Sequence, residues 1–339
     1  MQAIKELAGL TRQGFEQEVL QDYRPVVMRG LVSDWPLVAQ GRAGLEACLQ
    51  YLMAFDGGKP VDAVLARPDP ARAFGYRPGL SGFSFVHDKR PYAALFEQLW
   101  RYSHFPDPPA LAAQSALVAE VLPGLEQANA CPLLDAAVRP RIWIGNRASV
   151  PAHFDDSHNI ACVAAGRRRF TLLPPQCAPL LYMGPPDHAP TPAPMSVLPN
   201  LQTADAERFP LVRQALEQAL VAELGPGDAL YIPPLWFHQV EALAPDLNIL
   251  MNYWWRDAPA AQRKDDLHLA AMRLAMLAFR HLPDGEREGW RALFEHYVFG
   301  ARGESLAHIP ADQRHMFGEL DVKADAAIRK DLIAQLGKP

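Results

Sequence analysis

A chain of 339 residues with 49% hydrophobic content is long enough for one large elaborated domain or two ordinary ones, each with apolar material for a core. Its 33 Lys and Arg against 38 Asp and Glu give a net charge of -5, so no global basic field concentrates a polyanion, and nucleic acid is the less expected partner. The cysteines Cys48, Cys131, Cys162 and Cys177 are widely spaced with no CxxC pair, which excludes a dense disulfide scaffold or a structural zinc site and suggests reduced thiols in a cytoplasmic protein.

The opening MQAIKELAGLTRQGFEQEVL mixes charges into a helical period and lacks the apolar core of a signal peptide. No uncharged apolar run reaches the roughly 18 to 20 residues that cross a bilayer, so neither an export signal nor a membrane partner is expected. Residues 1–140 form a mixed N-terminal elaboration. Helical patterns near 2–20, 41–53 and 91–102 alternate with strand-like runs at 25–29 and 61–65. Pro106, Pro108, Pro109 and Pro123 punctuate the connection to the next region.

Over residues 141–256 the texture turns to β. Runs at 141–144, 159–164, 167–173, 228–232, 237–243 and 247–255 are separated by Gly, Pro and Asp turns, which predicts a mainly β core with helices, an α+β chain built on a jelly roll or barrel. Phe209, Val212, Ala215, Leu216 and Leu220 fall at helical spacing, predicting an inserted helix at 206–223, and the Pro-rich stretch 185–199 before it must be a loop. Residues 257–339 read as a helical tail. Leu267, Ala270, Leu274 and Leu277, then Trp290, Leu293, Phe294 and Val298, flank a break at Pro283-Asp284-Gly285. Such a tail either packs on its own barrel or, with an apolar face larger than one flank needs, joins two copies as a homodimer.

Two segments carry candidate chemistry. In Pro151-Ala152-His153-Phe154-Asp155, an extended strand would place His153 and Asp155 on one face, because side chains alternate with period two. In Gly227-Asp228-Ala229-Leu230-Tyr231-Ile232-Pro233-Pro234-Leu235-Trp236-Phe237-His238, a turn launches a strand, a Pro pair ends it, and His238 opens the next. A jelly roll sets sequence-distant strands side by side, so His238 can reach an ion held by His153 and Asp155. Two His and one carboxylate on one face leave the opposite positions open, the arrangement of non-haem Fe(II) oxygenases. His158, five residues from His153, falls on the opposite face and reads as structural; Asp156 reads as a rim residue, and Trp143, Trp236, Trp254 and Trp255 as core.

The stretch from Trp143 to Trp255 resembles the JmjC, cupin-like (cupin-8) oxygenases, the group that includes the asparaginyl hydroxylase acting on hypoxia-inducible factor. The pieces that carry it are VPAHFDDSHNIACVAAGRRRFTLLPP, GDALYIPPLWFHQVEAL and LNILMNYWW, with RPVVMRGLVSDWP upstream. The resemblance implies a double-stranded β-helix, with Fe(II) as cofactor and 2-oxoglutarate as cosubstrate. His153, Asp155 and His238 would be metal ligands with a catalytic role. Arg168 falls where the family has a lysine for the distal carboxylate of the cosubstrate, with Arg167 and Arg169 as neighbours that share the stretch. Asn159 and Asn252 match polar residues near the metal-proximal carboxylate and the distal His. Two positions depart: a family threonine is Val150, and a family tyrosine is Leu111 or Ala112.

The expected function is therefore a 2-oxoglutarate-dependent dioxygenase, a hydroxylase or demethylase, acting first on a protein side chain and alternatively on a small molecule or a tRNA nucleoside. Two other classes stay open. One is a non-oxygenase metal-binding cupin, which would call for a four-ligand, His-rich set. The other is a catalytically silent interaction protein that keeps the fold.

Overall fold

Among the described residues, fourteen short strands and a set of helices make up the chain, as a computed structural model shows. It describes residues 2–68, 72–256, 267–300, 306–318 and 320–337. In chain order the strands are β1 (Gln2–Ala3), β2 (Lys5–Ala8), β3 (Val26–Arg29), β4 (Val61–Ala66), β5 (Phe85–Arg90), β6 (Ala110–Leu117) and β7 (Pro140–Gly145). There follow β8 (Ser149–His153), β9 (His158–Ala165), β10 (Arg168–Leu173), β11 (Leu220–Leu224), β12 (Ala229–Ile232), β13 (Phe237–Ala242) and β14 (Asn248–Trp255). A five-stranded sheet runs β1-β11-β10-β13-β8, and a nine-stranded sheet runs β2-β3-β12-β9-β14-β7-β6-β4-β5. From β7 to β14 the chain repeatedly crosses between the two sheets, so that β8-β13-β10-β11 face β7-β14-β9-β12: this is the jelly roll.

Side-chain alternation decides what fills it. Ala161 and Val163 of β9, Phe170 and Leu172 of β10, Ala222 and Leu224 of β11, Val240 of β13 and Leu250 of β14 meet between the sheets. The other face of β9, with Ile160, Cys162 and Ala164, packs against Trp35, Leu37, Leu52, Leu95 and Leu99 of the N-terminal region. Helices Pro36–Ala43, Leu45–Met53 and Tyr92–Tyr102 thus supply the apolar back of the large sheet. Each fully buried large aliphatic side chain contributes roughly 1.5–3 kcal/mol, so this second core fixes the sheet that carries the barrel. All four cysteines are buried thiols.

Several expected elements take another form. Residues 2–8 are not helical: β1 pairs parallel with β11, Gln2 opposite Leu220, and β2 pairs parallel with β3. Open sheet edges recruit this segment, overriding its helical period, and helical turns begin only at Arg12, with Thr11 accepting from the Gly14 N–H. The inserted helix spans Leu211–Gln218, not 206–223. Asp205 holds a turn by accepting from the N–H groups of Glu207 and Arg208, and Leu220, Ala222 and Leu224 bury alternate side chains as a strand. The helix expected at 41–53 is two helices, separated at Gly44. The Pro-rich stretch is a loop, pinned by single bridges between His153 and Met195 and between Met183 and Ser196.

The chain divides into two units, residues 1–256 and 257–339. In the second, helices Leu267–Phe279, Asp284–Phe294 and Val322–Leu336 bury no side chain; residues 257–266, where the tail begins, lie outside the described part. Among the described residues no helix is long and apolar enough to cross a membrane.

Gly166 turns the chain from β9 into β10 with φ +74°, and a Cβ there would lie 2.4 Å from the Leu247 carbonyl oxygen and 2.5 Å from Asn248 Oδ1. Gly166→Ala should therefore lose about 2–4 kcal/mol of stability in urea denaturation. An unchanged midpoint would contradict this packing of the turn against β14.

Candidate metal centre

The centre starts from one cross-strand pair. His153 ends β8 and His238 is the second residue of β13, and the antiparallel register sets them opposite each other, with ring centroids 4.3 Å apart. Immediately beyond, the register slips between His238 and Val240, a bulge of the kind that re-aims side chains at a barrel rim. Asp155 lies past the end of β8, so strand alternation does not bring it back as the sequence suggested. A turn does: the Leu235 N–H donates to the Asp155 carbonyl at 2.7 Å, and Trp254 Nε1 donates to Asp155 Oδ2 at 3.1 Å. Asp155 Oδ2 stands 3.7 Å from His238 Nε2, and the candidate donor atoms of His153, Asp155 and His238 all lie within 4.8 Å of one another.

Both imidazoles are oriented the same way. Nδ1 of His153 is 2.9 Å from the Pro151 carbonyl and Nδ1 of His238 is 3.1 Å from the Trp236 carbonyl. A carbonyl only accepts, so each Nδ1 carries the proton and each Nε2 keeps its lone pair for the shared space. Burial, reinforced by the neighbouring His238 ring and opposed by Asp155, pulls His153 down to about 4, so it is neutral at pH 7. Two imidazole nitrogens and a carboxylate are a donor set suited to a divalent first-row metal, and no fourth His, Cys, Asp or Glu joins this group among the described residues.

Around this set, the expected cosubstrate residues face the same interior. Arg168 shares its face of β10 with Phe170 and Leu172, whereas Arg167 and Arg169 point the other way and pair with Glu223 at 2.7 Å and 2.6 Å. Among the described residues Arg168 forms no ion pair, and its Nε is buried without a partner. Burial pulls this guanidinium down to about 10, which leaves it a cation at neutral pH. Asn252 Nδ2 donates to Asn159 Oδ1 at 2.9 Å, both side chains being buried, and Asn252 Oδ1 has no partner. These orphaned polar atoms fit an anionic, hydrogen-bonding guest. Val150 and Ala112 both pack with the cluster of Phe74 and Phe85, whereas Leu111 belongs to the core behind the sheet.

The neighbouring residues sort out clearly. His158 turns to the back of the sheet, with Nδ1 2.8 Å from Tyr231 Oη and its ring stacked on Trp255 at 5.1 Å. Asp156 pairs with Arg256. Trp236 is core and Trp143 packs against it, as expected, but Trp254 is not merely core, since it holds the Asp155 carboxylate. Its shared parity with Asn252 on β14 is the signal that could have found it. Leu235, at φ +67°, was also missed.

The family model for the cupin-like domain matches residues 12–261. The chain is 29% identical over 218 residues to lysine-specific demethylase JMJ31 of Arabidopsis thaliana, covering 62% of this chain and 34% of that protein. It is 24% identical over 273 residues to Jumonji C domain-containing protein 5 of Drosophila melanogaster, covering 74% and 59%. A shorter match, 35% identical over 120 residues, joins it to HSPB1-associated protein 1 of Homo sapiens, covering 33% and 22%. The match spans less than two thirds of each of these relatives.

Trp254→Phe should weaken Co(II) affinity about tenfold in a titration while the fold is kept, because a hydrogen bond to the ligating carboxylate is lost. Affinity equal to that of the unaltered chain would show that the indole does not orient Asp155. In the metal-free protein His153 is held neutral in the fold but has its ordinary value near 6.5 when unfolded. Unfolding therefore takes up a proton below that value, and this share of stability is present above pH 6.5 and is lost as pH falls toward about 4. Urea denaturation across that window should show a shallower pH slope for His153→Ala; identical slopes would contradict the assignment.

Proposed function

From the premise that this chain belongs to the cupin-like, JmjC-type family, we propose that it is an Fe(II)- and 2-oxoglutarate-dependent oxygenase. The observation that carries the reading is a His-Asp-His set within a barrel that also holds an inward cation, Arg168, with no ion pair among the described residues. A metal-binding cupin with four protein ligands finds no fourth donor among the described residues.

In this reading Nε2 of His153, Nε2 of His238 and an Asp155 carboxylate oxygen would hold ferrous iron. The carbonyls of Pro151 and Trp236 fix the imidazoles, and Trp254 and the Leu235 N–H fix Asp155. Arg168 would take the distal carboxylate of 2-oxoglutarate in a charge-assisted contact, which would supply the ion pair that Arg168 lacks among the described residues. The Asn159–Asn252 pair offers amide groups to the metal-proximal end. Phe170, Leu172 and Val240 wall the interior and exclude water, so these contacts act in a low dielectric. The bound metal and cosubstrate supply, with dioxygen, the oxidation of an unactivated C–H bond. The substrate class favoured here is a protein side chain, hydroxylated on carbon; the same oxidation of an N-methyl group would be a demethylation, the reaction printed in the name of the Arabidopsis relative.

Anaerobic addition of Fe(II) and 2-oxoglutarate should give a visible metal-to-ligand charge-transfer band, and its absence would refute the oxygenase reading. Arg168→Met keeps most of the stem and removes the charge. It should raise the 2-oxoglutarate concentration needed for the band roughly 10- to 100-fold. The same variant should stabilise the metal-free protein, because an uncompensated buried charge is relieved. An unchanged cosubstrate requirement would move the anchor elsewhere.

A further inference from the structure

Arg141 is a second cation that faces the barrel interior, and nothing in the cosubstrate contacts uses it. It is the second residue of β7 and alternates onto the face of Trp143, which packs on the barrel core. Register sets it opposite Asn252 of β14 and Leu117 of β6. Trp254, the next residue along that face of β14, is the one that binds Asp155. With neighbouring strands roughly 4.8 Å apart and alternate residues about 6.7 Å apart along a strand, the Arg141 backbone lies about 8 Å from that of Trp254. Its side chain is exposed on that face and leans toward β6, where its hydrogen bond lies.

The side chain is exposed and fixed without being neutralised. Nη1 donates to the Ser115 carbonyl at 2.7 Å, and among the described residues Arg141 forms no ion pair. Ser115 itself sits where the β6–β7 register slips between Ala113 and Ala116, at φ +45°. A non-glycine residue in that conformation is strained, and a bulge beside a site commonly aims a group into it. Here the displaced carbonyl engages one N–H of the fork, and the others have no partner among the described residues.

Charge decides what those donors meet, granted the oxygenase reading above, on which this step rests. A ferrous dication with the Asp155 carboxylate keeps one positive charge, and the cosubstrate dianion with Arg168 keeps one negative. The loaded centre is neutral before Arg141 is counted. Water tolerates the surplus charge while the mouth is open, but a substrate that covers the mouth desolvates it and must bring the counter-charge. We propose that Arg141 is a specificity-determining residue that receives a carboxylate of the prime substrate, borne by an acidic peptide side chain or by a small carboxylic acid.

Equilibrium binding tests this on protein loaded with Fe(II) and 2-oxoglutarate without oxygen. The probes are three fluorescent nonapeptides that differ only in carrying Asp and Glu, Lys and Arg, or Ala, with N-acetylglutamate and N-acetylaspartate as competitors. The expected result is a preference for acidic over neutral probes of about tenfold or more. That preference should vanish in Arg141→Gln and pass to the basic peptide in Arg141→Glu, with the charge-transfer band retained. Binding of the acidic peptide identifies a polypeptide source, and binding of the small acids alone identifies a metabolite. Equal binding of all probes, or none, with a formed band overturns the inference and spares the oxygenase reading. Loss of the band in Arg141→Glu also overturns it, because Arg141 would then hold the cosubstrate. A wild-type protein that forms no band fails the underlying reading and takes this inference with it.

Discussion

The pairing of β8 with β13 is the constraint on which the rest of the centre depends. It sets His153 opposite His238, although the chain between them runs through the four strands β9 to β12, a Pro-rich loop and a helix. Once the two imidazoles are opposed, their orientation follows from carbonyls two residues upstream, Pro151 and Trp236, so the backbone itself selects the Nε2 lone pairs. Asp155 is then brought back by contacts from two other places in the chain, the 233–236 turn and the end of β14. Four segments converge on one small volume, and each is held by backbone that also belongs to the barrel.

Such a barrel carries a cost in its own interior. Most inward positions are apolar, yet Arg168, Asn159 and Asn252 face inward as well, and Arg168 Nε and Asn252 Oδ1 find no partner. Unsatisfied buried polar groups destabilise a fold by about 1–3 kcal/mol each. The contrast with Arg167 and Arg169, one residue to either side and both paired with Glu223, shows that the sequence could neutralise an arginine here and does so only on the outer face. The large apolar core behind the nine-stranded sheet, built by the N-terminal helices, offsets this deficit and holds in place the strands that carry Asn159, Asn252 and Trp254.

Much of this was legible in residues alone. The short β runs, the facing of Arg168 and the opposite facing of His158 all follow from period-two alternation, which is local and needs no knowledge of partners. What alternation could not supply was tertiary. Residues 2–8 carry a helical period yet lie in strands, because two sheet edges were waiting for them. Ala110–Leu117, rich in alanine, gave no strand signal and is β6. The helix expected to reach residue 223 stops at Gln218, since Leu220 to Leu224 pairs with β10. The same limit applied in the site: His153, Asp155 and His238 could be named from spacing and resemblance, but Trp254 as the partner of Asp155 depends on where β14 ends relative to a turn a hundred residues away.

The central claim is that three side chains from two strands and one turn share a single metal ion. Crystals grown anaerobically with Fe(II), measured on either side of the iron absorption edge, test it most directly. The account predicts one anomalous peak bonded to Nε2 of His153, Nε2 of His238 and a carboxylate oxygen of Asp155, with the remaining positions open to water or cosubstrate. A peak bonded to other residues, one enclosed by four protein ligands, or no peak at all in a fully iron-loaded crystal would contradict it.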